Sequence, residues 1–275
     1  MRFALCLLLA PLLILPAPAA AQSGPQREEL QWSWAVDPAL IVLTGAGWIG
    51  TEMAKDSLAP QACRWCEANS LDASVTGALG WGSRKTASVV SDSVTYGVMP
   101  VLTLAGGIIA GAADGRIGET PVNALLIVEA VTVSSMINQV FKFSFGRERP
   151  FVAELPAEEK SELEKAEDNN LSFYSGHTNL AFALAVSAGT VAHLRGYKAE
   201  PYIWGIGLPL ATFVAYSRIA AKKHYLSDVV IGSLTGAAAG FLVPFLHRKT
   251  SPLTASGASL SIAPAVNGLS IGGTF

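Results

Sequence analysis

Apolar runs of about the length needed to cross a bilayer, roughly 20 residues, recur along the chain between short polar breaks. They cover approximately 36–55, 88–113, 121–146, 175–195, 202–221 and 225–247. Helix-start signals stand where three of them begin: Asp37-Pro38, Thr120-Pro121 and Pro201. The last run is rich in small residues, among them Gly232, Ser233, Gly236 and Gly240. Small residues let helices approach closely, in membrane bundles and also in tightly packed soluble ones. The pattern predicts an all-α bundle of about six helices, read as transmembrane, although several of the runs are only moderately apolar.

Three other stretches break this pattern. Residues 1–21 carry Met1-Arg2, an apolar core from Phe3 to Leu15, two prolines and the small run Ala19-Ala20-Ala21. That is the layout of a cleaved secretory signal. The helical domain then covers 22–249, and 250–275 form a polar tail. In the tail Asn267-Gly268 separates two alternating stretches, 258–266 and 269–275, which reads as a short hairpin. The segment 154–168 holds Glu154, Glu158, Glu159, Glu162, Glu164, Glu167 and Asp168, and reads as a solvated surface helix or as a lid.

Composition sharpens the class. Only 15% of residues are charged and 51% are hydrophobic, and the mean hydropathy is +0.39. A disordered chain is excluded. A net charge of −2 gives no basic footprint, so no nucleic-acid partner is expected. With Cys6 removed by signal cleavage, Cys63 and Cys66 remain, and they are expected to form a small disulfide in an exported loop. No second Cys/His pair accompanies them, so no metal set is expected.

The chemistry sits in polar residues at the ends of apolar runs, where ionisable groups are functional candidates. Lys142 and Arg149 are seven apart, about two helical turns, and Pro150 ends the helix behind them. Two cations there suit a phosphate, or form a plain basic cap. Ser175-Gly176-His177 opens the fourth run, where free N–H groups bind anions and Ser175 can cap. Ser217-Arg218, His224 and Asp228 close the set, with His224 and Asp228 spaced i, i+4 so that their side chains meet. In an alternating bundle the third and fifth runs end, and the fourth and sixth begin, on one face. Lys142, Arg149, Ser175, His177, Arg218, His224 and Asp228 therefore converge. His193 and His247 have no such company and read as helix-end residues.

Lys-x6-Arg-Pro, Ser-Gly-His and Ser-Arg-x5-His-x3-Asp, over roughly 120–245, resemble the type 2 phosphatidic acid phosphatase superfamily, which shares its core with vanadium haloperoxidases. One position departs: Tyr174 stands where the family usually has Pro before Ser-Gly-His. The resemblance implies that His224 is the nucleophile, forming a phosphohistidine, with Asp228 orienting it and His177 protonating the leaving alcohol. It implies that Lys142, Arg149, Arg218, Ser175 and Gly176 hold the phosphoryl oxygens. No cofactor is implied. Vanadate would inhibit, or would serve as cofactor if the chain were a haloperoxidase. The expected substrate is a lipid phosphate at a membrane, with the catalytic face exported. A soluble periplasmic acid phosphatase remains the alternative, and a non-catalytic bundle ranks last.

Overall fold

The computed structural model describes residues 27–160, 162–163, 166–249, 259–265 and 268–274. The expected signal at 1–21 and the expected turn residue Asn267 lie outside the described residues.

The six expected runs all form helices, but the described residues hold eleven α-helices. The chain runs through α1 (Asp37–Met53), α2 (Lys55–Leu58), α3 (Ser70–Leu79), α4 (Arg84–Ser93) and α5 (Met99–Ala113). It continues through α6 (Thr120–Phe145), α7 (Pro150–Ala153), α8 (Ala157–Lys160), α9 (Gly176–Arg195), α10 (Glu200–Ala220) and α11 (Leu226–Leu246). A π-helical turn, Val94–Val98, fuses α4 and α5 into one run. The extra helices come from segments without long apolar runs. Residues 56–87 fold across one end of the bundle as α2, α3 and the start of α4. Among its described residues, the acidic segment is not one surface helix. It breaks into α8 and a 3-10 turn, Ala166–Asp168, which is drawn inward because Asp168 pairs with Lys55 at 3.1 Å.

Among the described residues, four helical runs are long and apolar enough to cross a membrane: Arg84–Ala113, Ile117–Phe145, Glu200–Ala220 and Leu226–Leu246. Large apolar side chains stay exposed along them, including Val101, Ile109, Ile206, Phe213, Leu234 and Phe241. An apolar belt of this kind marks a lipid-facing surface. The chain is thus a multi-span helical bundle, with four rather than six helices meeting the requirement.

α9 explains part of the difference. It packs against α5, α6, α10 and α11, and 16 of its 20 residues are buried. Shielded by its neighbours, it needs small residues more than oily ones, and its sequence is rich in Ala, Ser, Thr and Gly. Ser175 caps its start by accepting from the Thr178 N–H, and Gly196 ends it in the left-handed conformation. α11 lies almost backbone to backbone on α9. A Cβ at Gly236 would fall 2.2 Å from the Asn179 carbonyl oxygen, and one at Gly240 2.8 Å from that of Ala183.

α1 lies along α6, with Thr44 bonded to Thr132 at 3.0 Å. A strap before α1 ties the far end of the bundle together. Glu28 N–H donates to the Leu194 carbonyl and Gln31 N–H to that of His247. The tail hairpin pairs β1 (Ser259–Ala265) with β2 (Gly268–Thr274) in antiparallel register, closing at Ala265 and Gly268.

Candidate active site

α6 ends at Phe145 because Gly146 takes a left-handed conformation, with φ 54°. The chain then runs extended through Arg147 to Arg149 before Pro150 starts α7. Arg147 turns into the protein and Arg149 into a cleft. α6 delivers Lys142, the start of α9 delivers Gly176 and His177, the end of α10 delivers Arg218, and the turn before α11 delivers His224. These six, with Arg149 counted among them, line one cleft of about 550 Å³.

Of the expected residues, Ser175 and Asp228 do not line it. Ser175 is fully buried, and its hydroxyl lies 3.0 Å from Thr178 Oγ1 within the helix cap. The expected contact between His224 and Asp228 is also replaced. His224 Nδ1 is 3.9 Å from Asp228 Oδ2 but 2.8 Å from the Ser172 carbonyl oxygen. A carbonyl only accepts, so Nδ1 carries the proton and Nε2 keeps its lone pair. Burial, then the charges of Arg149, Arg218 and Lys142, hold the imidazole well below its ordinary pKa, so it is neutral.

Asp228 instead anchors the loops behind the histidine. It accepts from Arg147 Nη1 at 2.6 Å, from the Ser172 hydroxyl at 2.6 Å and from the Tyr225 N–H at 2.9 Å. The i, i+4 spacing brings the two residues close, but the pull of a buried guanidinium on the carboxylate is stronger than that of a neutral ring. Arg147 itself is sandwiched between Trp65 and Tyr225, with its guanidinium carbon 3.8 and 4.2 Å from the ring centroids. It also donates to Asp72 at 2.7 Å. Burial pushes Asp72 up, but hydrogen bonds from Arg147 and Ser227 outweigh it and leave the carboxyl below its usual range. Cys63 and Cys66 are joined, with Cα atoms 5.4 Å apart, in the loop that holds Trp65 over Arg147.

Within the cleft, His177 Nε2 lies 2.7 Å from Asp92 Oδ1, and the Tyr96 ring meets the imidazole edge-on at 4.9 Å. Arg218 donates to the same Asp92 oxygen and to Ser91, both at 2.9 Å. Gly176 has to be glycine for space, since a Cβ there would meet Asn138 Oδ1 at 2.9 Å and Lys142 Nζ at 3.2 Å. Asp168 faces Arg149 at 3.6 Å. Burial acts to raise its pKa, but Arg149, Lys55 and Lys142 hold it well below the carboxylate range. Lys223 also lines the cleft, where burial and the charges of Arg149 and Arg218 bring it down to about 8. The Nε atoms of Arg149 and Arg218 are buried with no protein partner. Buried, incompletely satisfied guanidinium donors suit an incoming oxyanion.

Asp92, Arg147, Asp168 and Ser172 were not singled out in the sequence. Asp92 had a usable signal, an ionisable residue inside an apolar run. Arg147 looked like a spacer between Lys142 and Arg149, and nothing in the spacing reveals that it faces the other way.

Residues 123–251 match the PAP2 superfamily. Phospholipid phosphatase 1 of Rattus norvegicus is 28% identical over 133 residues, covering 41% of this chain and 47% of that protein. The lipid A 1-phosphatase of Porphyromonas gingivalis is 32% identical over 120 residues, covering 43% of this chain and 23% of that protein. The chain thus spans about half the length of these curated relatives, or less. The transmembrane PAP2-type phosphatidylglycerolphosphate phosphatase of Bacillus subtilis superposes with a TM-score of 0.47 at 17% identity, covering 75% of this chain and 93% of that one. This matched segment, just under half of the chain, contains all three polar clusters that line or support the cleft, and over it the chain is similar to the PAP2 superfamily.

Proposed function

We propose that the chain is a phosphatase that hydrolyses a phosphate monoester or diphosphate of a lipid through a phosphohistidine on His224. The observation that carries this reading is the cleft itself: a neutral imidazole with a free Nε2 lone pair, a second histidine, and cations from α6, from α10 and from the segment between α6 and α7 facing one volume. Phosphoryl transfer needs positive charge around three equatorial oxygens and groups in line with the bond that breaks. Lys142, Arg149 and Arg218 supply the charge, and the Gly176 N–H adds a donor at the helix start.

In the first half-reaction, His224 Nε2 attacks phosphorus. The P–N bond forms as the bond to the leaving oxygen breaks, and that oxygen takes a proton from His177. In the second, water attacks phosphorus and gives a proton back to His177, and the P–N electrons return to Nε2. Asp92 positions His177 and Arg218 for both steps. Ser172 fixes the His224 tautomer, and Asp228 acts through Ser172, Arg147 and the Tyr225 backbone.

The lipid part rests on the cleft's apolar wall. Trp48, Ile49 and Met53 of α1 line it beside the polar groups, and Ile49 and Met53 are open to the outside. A phosphate at the cations would leave its alkyl chain along α1. The disulfide over the same end supports an exported catalytic face. The four long apolar helices favour this reading over a soluble phosphatase.

The test is phosphate release by purified protein from phosphatidate, an isoprenyl diphosphate, a lipid A phosphate and a short water-soluble phosphate ester. Release from at least one lipid, faster than from the soluble ester, is expected. Release from the soluble ester alone, or vanadate-dependent bromide oxidation without release, would overturn the reading.

A further inference from the structure

We propose that Asp37, Glu129 and His247 form a binding site for a divalent metal ion of the zinc class, at the end of the bundle away from the catalytic cleft. α11 separates the two: its 21 residues span about 30 Å at 1.5 Å per residue. The three residues come from the start of α1, the body of α6 and the residue that ends α11. Their ligand atoms all lie within 4.8 Å of one another.

The side chains are set as ligands. His247 Nδ1 is 2.7 Å from the Val243 carbonyl oxygen, so it carries the proton and directs the Nε2 lone pair away from the helix. A backbone carbonyl on one ring nitrogen is the arrangement that orients a metal-bound imidazole. Nε2 points at two carboxylate oxygens, Asp37 Oδ2 at 3.5 Å and Glu129 Oε2 at 3.8 Å. Asp37 is oriented in turn by the Ser33 N–H, which donates to it at 2.6 Å.

Glu129 supplies the independent sign of a ligand. Its side chain is 3% exposed, and Oε2 is buried without a hydrogen-bond partner. A lone pair and two buried carboxylates facing one point repel one another, and burying such groups unsatisfied is costly. The basic residues that follow His247 are turned elsewhere: Arg248 lies over the Phe245 ring, and Lys249 pairs with Glu29. A cation at the centre satisfies all three groups. Tetrahedral zinc with ligand bonds of about 2.0–2.2 Å sets neighbouring ligand atoms roughly 3.3–3.5 Å apart, within a few tenths of an ångström of the two distances from His247. Magnesium and calcium want six or more oxygen ligands, whereas one imidazole and two carboxylates suit zinc and its neighbours, with water completing the set. The ion would fasten α1, α6 and α11 beneath the strap of residues 27–36.

The test uses the full chain in detergent, with any purification tag removed, stripped with EDTA and then titrated with zinc. Metal content by mass spectrometry and thermal unfolding are read together. Wild type is expected to retain one zinc per chain after desalting and to gain thermal stability with zinc, as a ligand that binds only the folded state must produce. His247→Ala and Glu129→Gln are expected to lose both effects, and EDTA should leave phosphate release at low temperature unchanged in wild type. If either variant does not fold, Asp37→Asn and the two wild-type readings decide. A wild-type protein that retains no zinc, or whose unfolding temperature ignores zinc, overturns the proposal.

Discussion

At His224 the outcome turns on which ring nitrogen holds the proton. The Ser172 carbonyl places it on Nδ1, and burial among cations keeps the ring neutral. His224→Ala should therefore remain folded and lose many decades of turnover, because the covalent route goes with the nucleophile. Phosphate release by the folded variant at a near-normal rate would contradict this. The spacing singles out Asp228 but not its partner. The sequence pairs it with His224, whereas the fold spends its oxygens on Arg147, Ser172 and Tyr225. Asp228→Asn should thus cost stability as well as rate, since breaking a buried ion pair costs about 3–5 kcal/mol. Thermal unfolding measured beside turnover checks it, and a full loss of rate at an unchanged unfolding temperature would show that Asp228 acts on His224 alone. A carboxylate with several possible partners cannot be assigned from spacing, because the choice depends on how Arg147 turns after Gly146.

For the helices, long apolar runs were readable and short ones were not. Each expected run became a helix, since twenty apolar residues leave the backbone few other ways to satisfy itself. α2 and α3 escaped notice because they are short, polar on much of their surface and held by contacts made elsewhere in the fold. α9 was readable as a helix, but its central position was visible only once its neighbours were in place. The packing of α11 on α9 gives a paired expectation. Gly236→Ala pushes a methyl group into backbone that cannot yield, and should destabilise by about 1–3 kcal/mol. Gly50→Ala in α1 meets nothing within 4 Å and should be neutral or stabilising by up to about 1 kcal/mol, the helix preference of Ala over Gly. Unfolding temperatures in one detergent compare the two, and equal effects would mean that the close approach of α9 and α11 is not used.

Across the whole molecule, the polar clusters that line or support the cleft were legible because four helices bring their ends to one face. The far cluster was not, since Asp37, Glu129 and His247 are separated by about a hundred residues each and share no motif. Lys142, Arg149 and Arg218 can stabilise a phosphoryl group without a metal, so turnover should persist in EDTA and fall with vanadate. Activity lost in EDTA and restored by magnesium would place a metal in the reaction. Orientation is tested by labelling Cys63 and Cys66 in intact cells with an impermeant thiol reagent. Labelling only after reduction is expected for an exported catalytic face, and labelling only after lysis would put that face inside. The most direct test of the mechanism is a rapid alkaline quench of wild type and His224→Ala during turnover of a lipid substrate labelled at phosphorus. Label bound to the protein at His224, acid-labile and absent from the variant, is the predicted result. Turnover with no label on the protein, or label on a residue other than His224, would contradict it.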